Sequence, residues 1–113
     1  LIVLISLGDV YAQIPRREEV RELMRATQER SRVQQGCISY EFAESLDDPG
    51  HFIVVSQWRD QAALDSHFRS DAFVEYQTQI GAYLVRSSEL SVHAIAASAR
   101  PTSSAPVAAA EED

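Results

Sequence analysis

The sequence contains no lysine. Its ten basic residues are all arginine, and seventeen acids outnumber them to leave a net charge of −7. A chain of this sign lacks the phosphate-neutralising surface that nucleic acids and anionic membranes require, so neither is an expected partner. A single cysteine, Cys37, excludes an internal disulfide. One lone thiol suits a reducing compartment, and a cytoplasmic location is expected. Only four glycines are present and none builds a phosphate-cradling loop, which argues against dinucleotide cofactors. The three histidines show neither HxxxH nor HxH spacing, so no metal site is expected. No apolar run approaches the roughly 20 residues of a membrane helix. The opening LIVLISL has no basic segment before it and is interrupted by Gly8-Asp9, so it reads as a strand and not as a signal-peptide core.

What is present is enough apolar material for one domain. At 113 residues and 45% hydrophobic, the chain can bury a core without disulfide or metal support. Residues 1–14 are rich in aliphatic side chains on both parities, the mark of a strand covered on both faces, and Gly8 within it signals a bulge or a close approach. Pro15 opens a helix whose Val20, Leu23, Met24 and Thr27 form one stripe, and Gly36 is expected to cap its end. Residues 37–44 alternate, with Ile38, Tyr40 and Phe42 on one side. Asp47-Asp48-Pro49-Gly50 is a turn, and residues 52–58 return as an interior strand ending at Trp58. Asp60 caps a second helix with Ala63, Leu64, His67 and Phe68 inward. Ser70-Asp71 restarts or breaks it, and Phe73, Tyr76 and Ile80 continue the stripe. Residues 89–97 form a last strand. From residue 98 the composition turns to Ala, Ser and Pro with a closing acidic run, giving a domain over 1–97 and a disordered tail over 98–113.

The order strand, helix, strand, strand, helix, strand predicts an α+β, ferredoxin-like βαββαβ fold: a four-stranded antiparallel sheet with two helices on one face. Three strands are apolar on both parities, so the open sheet face is itself apolar. The economical cover is a second copy packed face to face, and a homodimer is expected.

Gly36-Cys37, Tyr40-Glu41, the Asp-Pro turn, Gln57-Trp58, Ala63-Leu64, His67 and Phe73 together resemble the antibiotic biosynthesis monooxygenase (ABM) domain family. The resemblance implies a dimeric α+β barrel with a pocket between helices and sheet in each subunit. It also implies oxidation of phenolic, quinol-like or aromatic polyketide-like substrates by O2 without flavin, metal or haem. Trp58 and His67 match the family's tryptophan and helix histidine. Departures are as informative. Ser56 stands where quinol-oxidising relatives often place Glu, and Val54, Ala43 and Leu64 stand where anthrone oxygenases keep polar groups. Haem-degrading relatives carry a Trp at the position of His67 and a His near Gln77, and both are missing.

Within that resemblance the catalytic candidates are His67, as a general base for a phenolic proton, and Trp58, as a ring that stacks on substrate. Tyr40, Phe42, Phe68, Phe73 and Tyr76 are the candidates for binding a small aromatic substrate. Packed core is the competing role for each of these residues, because aromatics at helix or strand spacing are ordinarily core. Two further functional classes stay open: a non-catalytic dimeric module that binds a small ligand, and a cofactor-free isomerase on the same fold.

Overall fold

The computed structural model describes residues 2–96 and residue 108. The expected tail over 98–113 therefore lies, apart from residue 108, outside the described residues. The elements are β1 (Val3–Tyr11), α1 (Arg17–Arg32), β2 (Cys37–Glu44), β3 (His51–Trp58), α2 (Gln61–Phe68), α3 (Asp71–Ile80) and β4 (Glu89–Ile95). Short 3-10 turns at Ile14–Arg16 and Gly81–Tyr83 lead into α1 and out of α3. All strand pairings are antiparallel in the order β2-β3-β1-β4. This is the ferredoxin-like arrangement, with the second helix divided into two pieces.

The division has a local cause. Asp60 caps α2 by accepting from the Ala63 N–H at 2.8 Å. Ser70 caps α3 by accepting from the Phe73 N–H at 3.2 Å, while its own hydroxyl donates to the His67 carbonyl at 2.6 Å. One serine thus closes one helix and opens the next.

Strand parity sets the two faces. Leu4, Ser6, Gly8 and Val10 of β1 pair with Trp58, Ser56, Val54 and Phe52 of β3, and this set faces the helices. The core beneath the helices is split. Val10, Phe52, Val20, Met24, Tyr76 and Ile80 form one cluster, and Leu4, Tyr40, Trp58, Ala63 and Leu64 form the other. Phe42 packs against both. Each fully buried aliphatic such as Val20 or Leu64 contributes roughly 1.5–3 kcal/mol. On the opposite face Ile5 and Ile53 are half-buried, while Leu7 is 39% and Val55 37% exposed.

Two local expectations are corrected. The helix α1 ends at Arg32 with Val33 as its cap, and Gly36 (φ +82°) lies beyond it, at the start of β2. A bulge between Cys37 and Ser39 throws Ile38 out of register, so it is 53% exposed instead of facing inward with Tyr40 and Phe42. His51, just after the turn, is stacked on Tyr11 at 4.6 Å and bonded through Nε2 to Asp9 at 2.8 Å. Of the two readings of Gly8, the close approach holds: β1 runs in continuous register, and the glycine allows Val54 to approach.

The outer edge of β2 is occupied by side chains from α1. Gln28 Oε1 accepts from the Phe42 N–H at 2.8 Å, and Arg32 Nε donates to the Tyr40 carbonyl at 2.9 Å. The strand β4 forms the other edge of the sheet.

Two glycines predict opposite signs on substitution. A Cβ at Gly36 would lie 2.4 Å from the Ala63 Cβ at a positive φ, so Gly36→Ala lowers stability by more than about 1 kcal/mol. Gly81 is helical (φ −55°) with nothing within 4 Å, so Gly81→Ala raises stability by roughly 0.5 kcal/mol. Urea midpoints of the two variants measure both.

Candidate functional site

A cavity opens at the seam between the two core clusters, bounded by the sheet, α2–α3 and the segment leading into β4. Its floor is Ser6, Gly8, Val54 and Ser56. Its walls are the rings of Tyr40, Phe42, Phe68, Phe73 and Tyr76, and Val10, Gln77, Ser88, Glu89 and Leu90 complete its lining. All five ring residues expected to bind an aromatic substrate are therefore brought together around one space. The rings meet edge-on or tilted: Tyr40–Phe42 at 5.6 Å, Phe42–Tyr76 at 5.7 Å and Phe68–Phe73 at 5.1 Å between centroids. About 50 Å³ is free, the room of one or two waters. A ring-sized guest needs the walls to part. The Leu90 side has the least cover, because Leu90 is 52% exposed even though its register with Gly8 turns it to the helix face.

Trp58 and His67 lie behind this wall and are not part of the lining. Trp58 has no exposed surface and His67 has 3%. The two rings stack at 4.6 Å and 29°. Trp58 Nε1 donates to Ser56 Oγ at 2.9 Å. His67 Nδ1 is 2.8 Å from Gln34 Oε1, and Gln34 Nε2 donates to Ser70 Oγ at 3.1 Å. An amide oxygen only accepts, so the imidazole carries a proton on Nδ1. Burial pulls the His67 pKa down to about 4. Its ring still touches the wall, at 5.3 Å from Tyr40 and 5.0 Å from Phe73.

The two phenols of the wall remain protonated. Burial pushes Tyr40 up to about 12 and raises Tyr76 further, with Tyr40 adding to the Tyr76 shift. The Tyr76 hydroxyl is buried without a hydrogen-bond partner, a cost of about 1–3 kcal/mol. Ser31 Oγ, next to Tyr40, is likewise buried and outside hydrogen-bond geometry. Burial also raises the Cys37 thiol, partly offset by Arg32, which disfavours a thiolate nucleophile. Glu89 is the sole acidic or basic side chain of the lining.

Sequence reasoning did not single out Ser6, Gly8, Gln34 or Leu90 for the site. The signal for Ser6 and Ser56 was there: two serines on the inward parity of otherwise apolar strands, paired directly across β1 and β3. Nothing local marks Gln34, which acts across 33 positions of sequence. Among the described residues, no group of three or more His, Cys, Asp or Glu side chains is placed to hold a metal, and no helix is long and apolar enough to cross a membrane.

A split βαββαβ sheet with a ring-lined cavity between sheet and helices defines a small α+β domain of the ferredoxin-like class. Residues 5–79 match the antibiotic biosynthesis monooxygenase family, and the chain belongs to it. It is 31% identical over 93 residues to the uncharacterised protein sll1783 of Synechocystis, covering 82% of this chain and 63% of that protein, so it spans less than two thirds of this relative's length. It is 34% identical over 70 residues to Rv0793 of Mycobacterium tuberculosis, provisionally named a monooxygenase, covering 62% of this chain and 68% of that one. The Rv0793 structure superposes with a TM-score of 0.80 at 28% identity, over 87% of this chain and 99% of that chain. A crystal structure of an antibiotic biosynthesis monooxygenase gives a TM-score of 0.76 at 26% identity, over 87% and 99% of the two chains.

The neutral, buried His67 sets a pH dependence. Its pKa is about 6.5 unfolded and about 4 folded, so between those values the unfolded chain binds more protons. Stability is fully present above pH 6.5 and falls as pH drops toward 4. Urea midpoints at pH 7 and pH 5 should show a loss on the order of 1–2 kcal/mol, and His67→Gln should flatten that difference.

Proposed function

We propose that this chain is a cofactor-independent monooxygenase domain for a small, electron-rich phenolic or quinol-like ring. The observation that carries the reading is the single cavity walled by Tyr40, Phe42, Phe68, Phe73 and Tyr76 in a chain of this family. The redox balance closes without an added reductant. A quinol ring gives up four electrons when its two hydroxyls become quinone carbonyls and one ring C–H becomes C–OH. One oxygen atom of O2 enters that new hydroxyl, and the other leaves as water with two hydrogens of the quinol. The protein's share is to orient the ring, exclude bulk water and favour loss of the first proton. In this reading Trp58 and His67 act from behind the wall: the stacked pair fixes Phe68, Phe73 and Tyr40, which hold the ring.

The domain is proposed to work as a homodimer through the sheet face turned away from the helices, where Leu7 and Val55 stand exposed beside Ile5 and Ile53. One observation favours a second reading, a ligand-binding module without turnover: His67, the proton acceptor expected from the sequence, is not in the lining and has a lowered pKa.

Oxygen-electrode assays with a panel of quinols and anthrones separate these readings. Catalysis predicts substrate-dependent O2 uptake, reduced roughly tenfold or more by Phe73→Ala, which removes a wall ring. Binding without uptake supports the second reading, and product without uptake supports an isomerase. Light scattering should give twice the 12.6 kDa chain mass. Val55→Asp, which buries a charge in the proposed interface, should give the single-chain mass.

A further inference from the structure

The floor of the cavity carries two hydroxyls side by side. Ser6 of β1 and Ser56 of β3 are register partners on the sheet face that meets the helices, and both line the cavity, at 4% and 3% exposure. Directly opposed residues of an antiparallel pair hold their Cβ atoms roughly 4.5–5.5 Å apart. A hydroxyl donates over about 2.7–2.8 Å, so two such side chains reach one oxygen atom lodged between them. The Trp58 indole can only donate, so its bond to Ser56 Oγ at 2.9 Å leaves the Ser56 O–H free to donate. The enclosed side-chain oxygens without a partner are those of Ser31 and Tyr76. Ser6 Oγ is not one of them and bonds to no group of the described residues, so it meets the open space of the cavity. A bond from one serine to the other would use only one of their two O–H groups. At least one therefore remains for a guest in every arrangement.

Nothing else in the space meets a negative charge. The titratable groups of the lining are Tyr40 from β2, Tyr76 from α3 and Glu89 from β4, and none is a cation. Burial in the same surroundings pushes the Tyr40 phenol up to about 12. A guest phenol placed there parts with its proton less readily than in water unless donors meet its oxygen.

We infer that Ser6 and Ser56 are catalytic residues that together cradle the one guest oxygen on which negative charge develops when the ring loses its first proton. The inference rests on the reading of this cavity as the site of ring oxidation. It supplies what that reading lacks once His67 stands behind the wall, a group that stabilises the anion. The O–H bond of the guest breaks and its electron pair stays on the oxygen between the two serines. The proton passes to water at the Leu90 side, where cover is least. The serines donate hydrogen bonds and keep their own protons throughout.

The test uses 4-nitrophenol, whose phenol and phenolate differ in colour, and 4-nitroanisole, the same ring with its oxygen methylated. Each is bound to the full chain under nitrogen, and the absorbance of bound 4-nitrophenol is followed against pH. Ser6→Ala should weaken the hold on the phenolate roughly tenfold, read as an upward move of the bound probe's pKa, and leave 4-nitroanisole within about twofold. Ser56→Ala should do the same. Ser56→Thr, which keeps the hydroxyl and the acceptor for Trp58, should restore the wild-type value. In air with a quinol, both Ala variants should lower kcat by a larger factor than they change KM.

A bound-probe pKa that stays put in Ser6→Ala, which disturbs no other hydrogen bond, would overturn the cradle. So would equal loss of both probes in the two Ala variants. Either result leaves the cavity in place as the ring site. Absence of O2 uptake with every quinol, beside a bound-probe pKa that moves as expected, would remove the oxidation reading and the catalytic role with it. Failure of the wild type to bind either probe removes the cavity reading altogether. Binding unchanged by Phe73→Trp, which fills the space, does the same.

Discussion

A buried tryptophan must dispose of one N–H, and the way Trp58 does so organises the helix layer. Its nitrogen donates within its own strand, to Ser56 two residues back. That leaves its face for His67, which stacks on it and donates its Nδ1–H to Gln34, just beyond the end of the first helix. Gln34 donates in turn to Ser70, the residue that stops α2 and starts α3. A strand, the turn after one helix and the break in the next are thus joined by one satisfied polar circuit inside apolar surroundings. In low dielectric such a circuit tolerates few alternatives, because each broken bond strands a buried donor or acceptor.

The cavity follows from that arrangement. The circuit anchors α2 over one half of the sheet, and α1 with α3 covers the other half, so the core forms as two clusters. Rings are suited to the seam, since they cover area from both sides with few rotatable bonds. The result is a space that is neutral almost throughout. Its phenols stay protonated, its serines carry no charge, and its histidine is set back from it. Such a place favours recognition by shape and hydrogen bonds over recognition by charge.

Much of this was legible in the sequence, and the limits have physical causes. The element order, the Asp60 cap, the Ser70 restart, the interior character of β3 and the ring set of the cavity all express local propensity or periodicity, which a single segment carries by itself. The bulge at Ile38 was hidden because alternation continues on both sides of it. The withdrawal of His67 from the cavity was hidden for a related reason: a helical stripe shows that a residue faces inward, but not which ring stands in front of it. Ser56 was read as a missing carboxylate, although its neighbour two positions on makes it the one side chain of β3 that receives the indole proton. Gln34 had no signal at all, since its partners arrive only when the whole chain has folded.

The occupied edge of β2 reaches further than the site. Gln28 and Arg32 take up outward-facing backbone groups at Phe42 and Tyr40 that an incoming strand would need. At those two positions the β2 edge has no free backbone group to offer another strand. A fibre that grows by edge pairing needs both edges of every copy, one to receive and one to offer. By taking up those two groups the first helix hinders pairing along β2 and so opposes strand polymerisation.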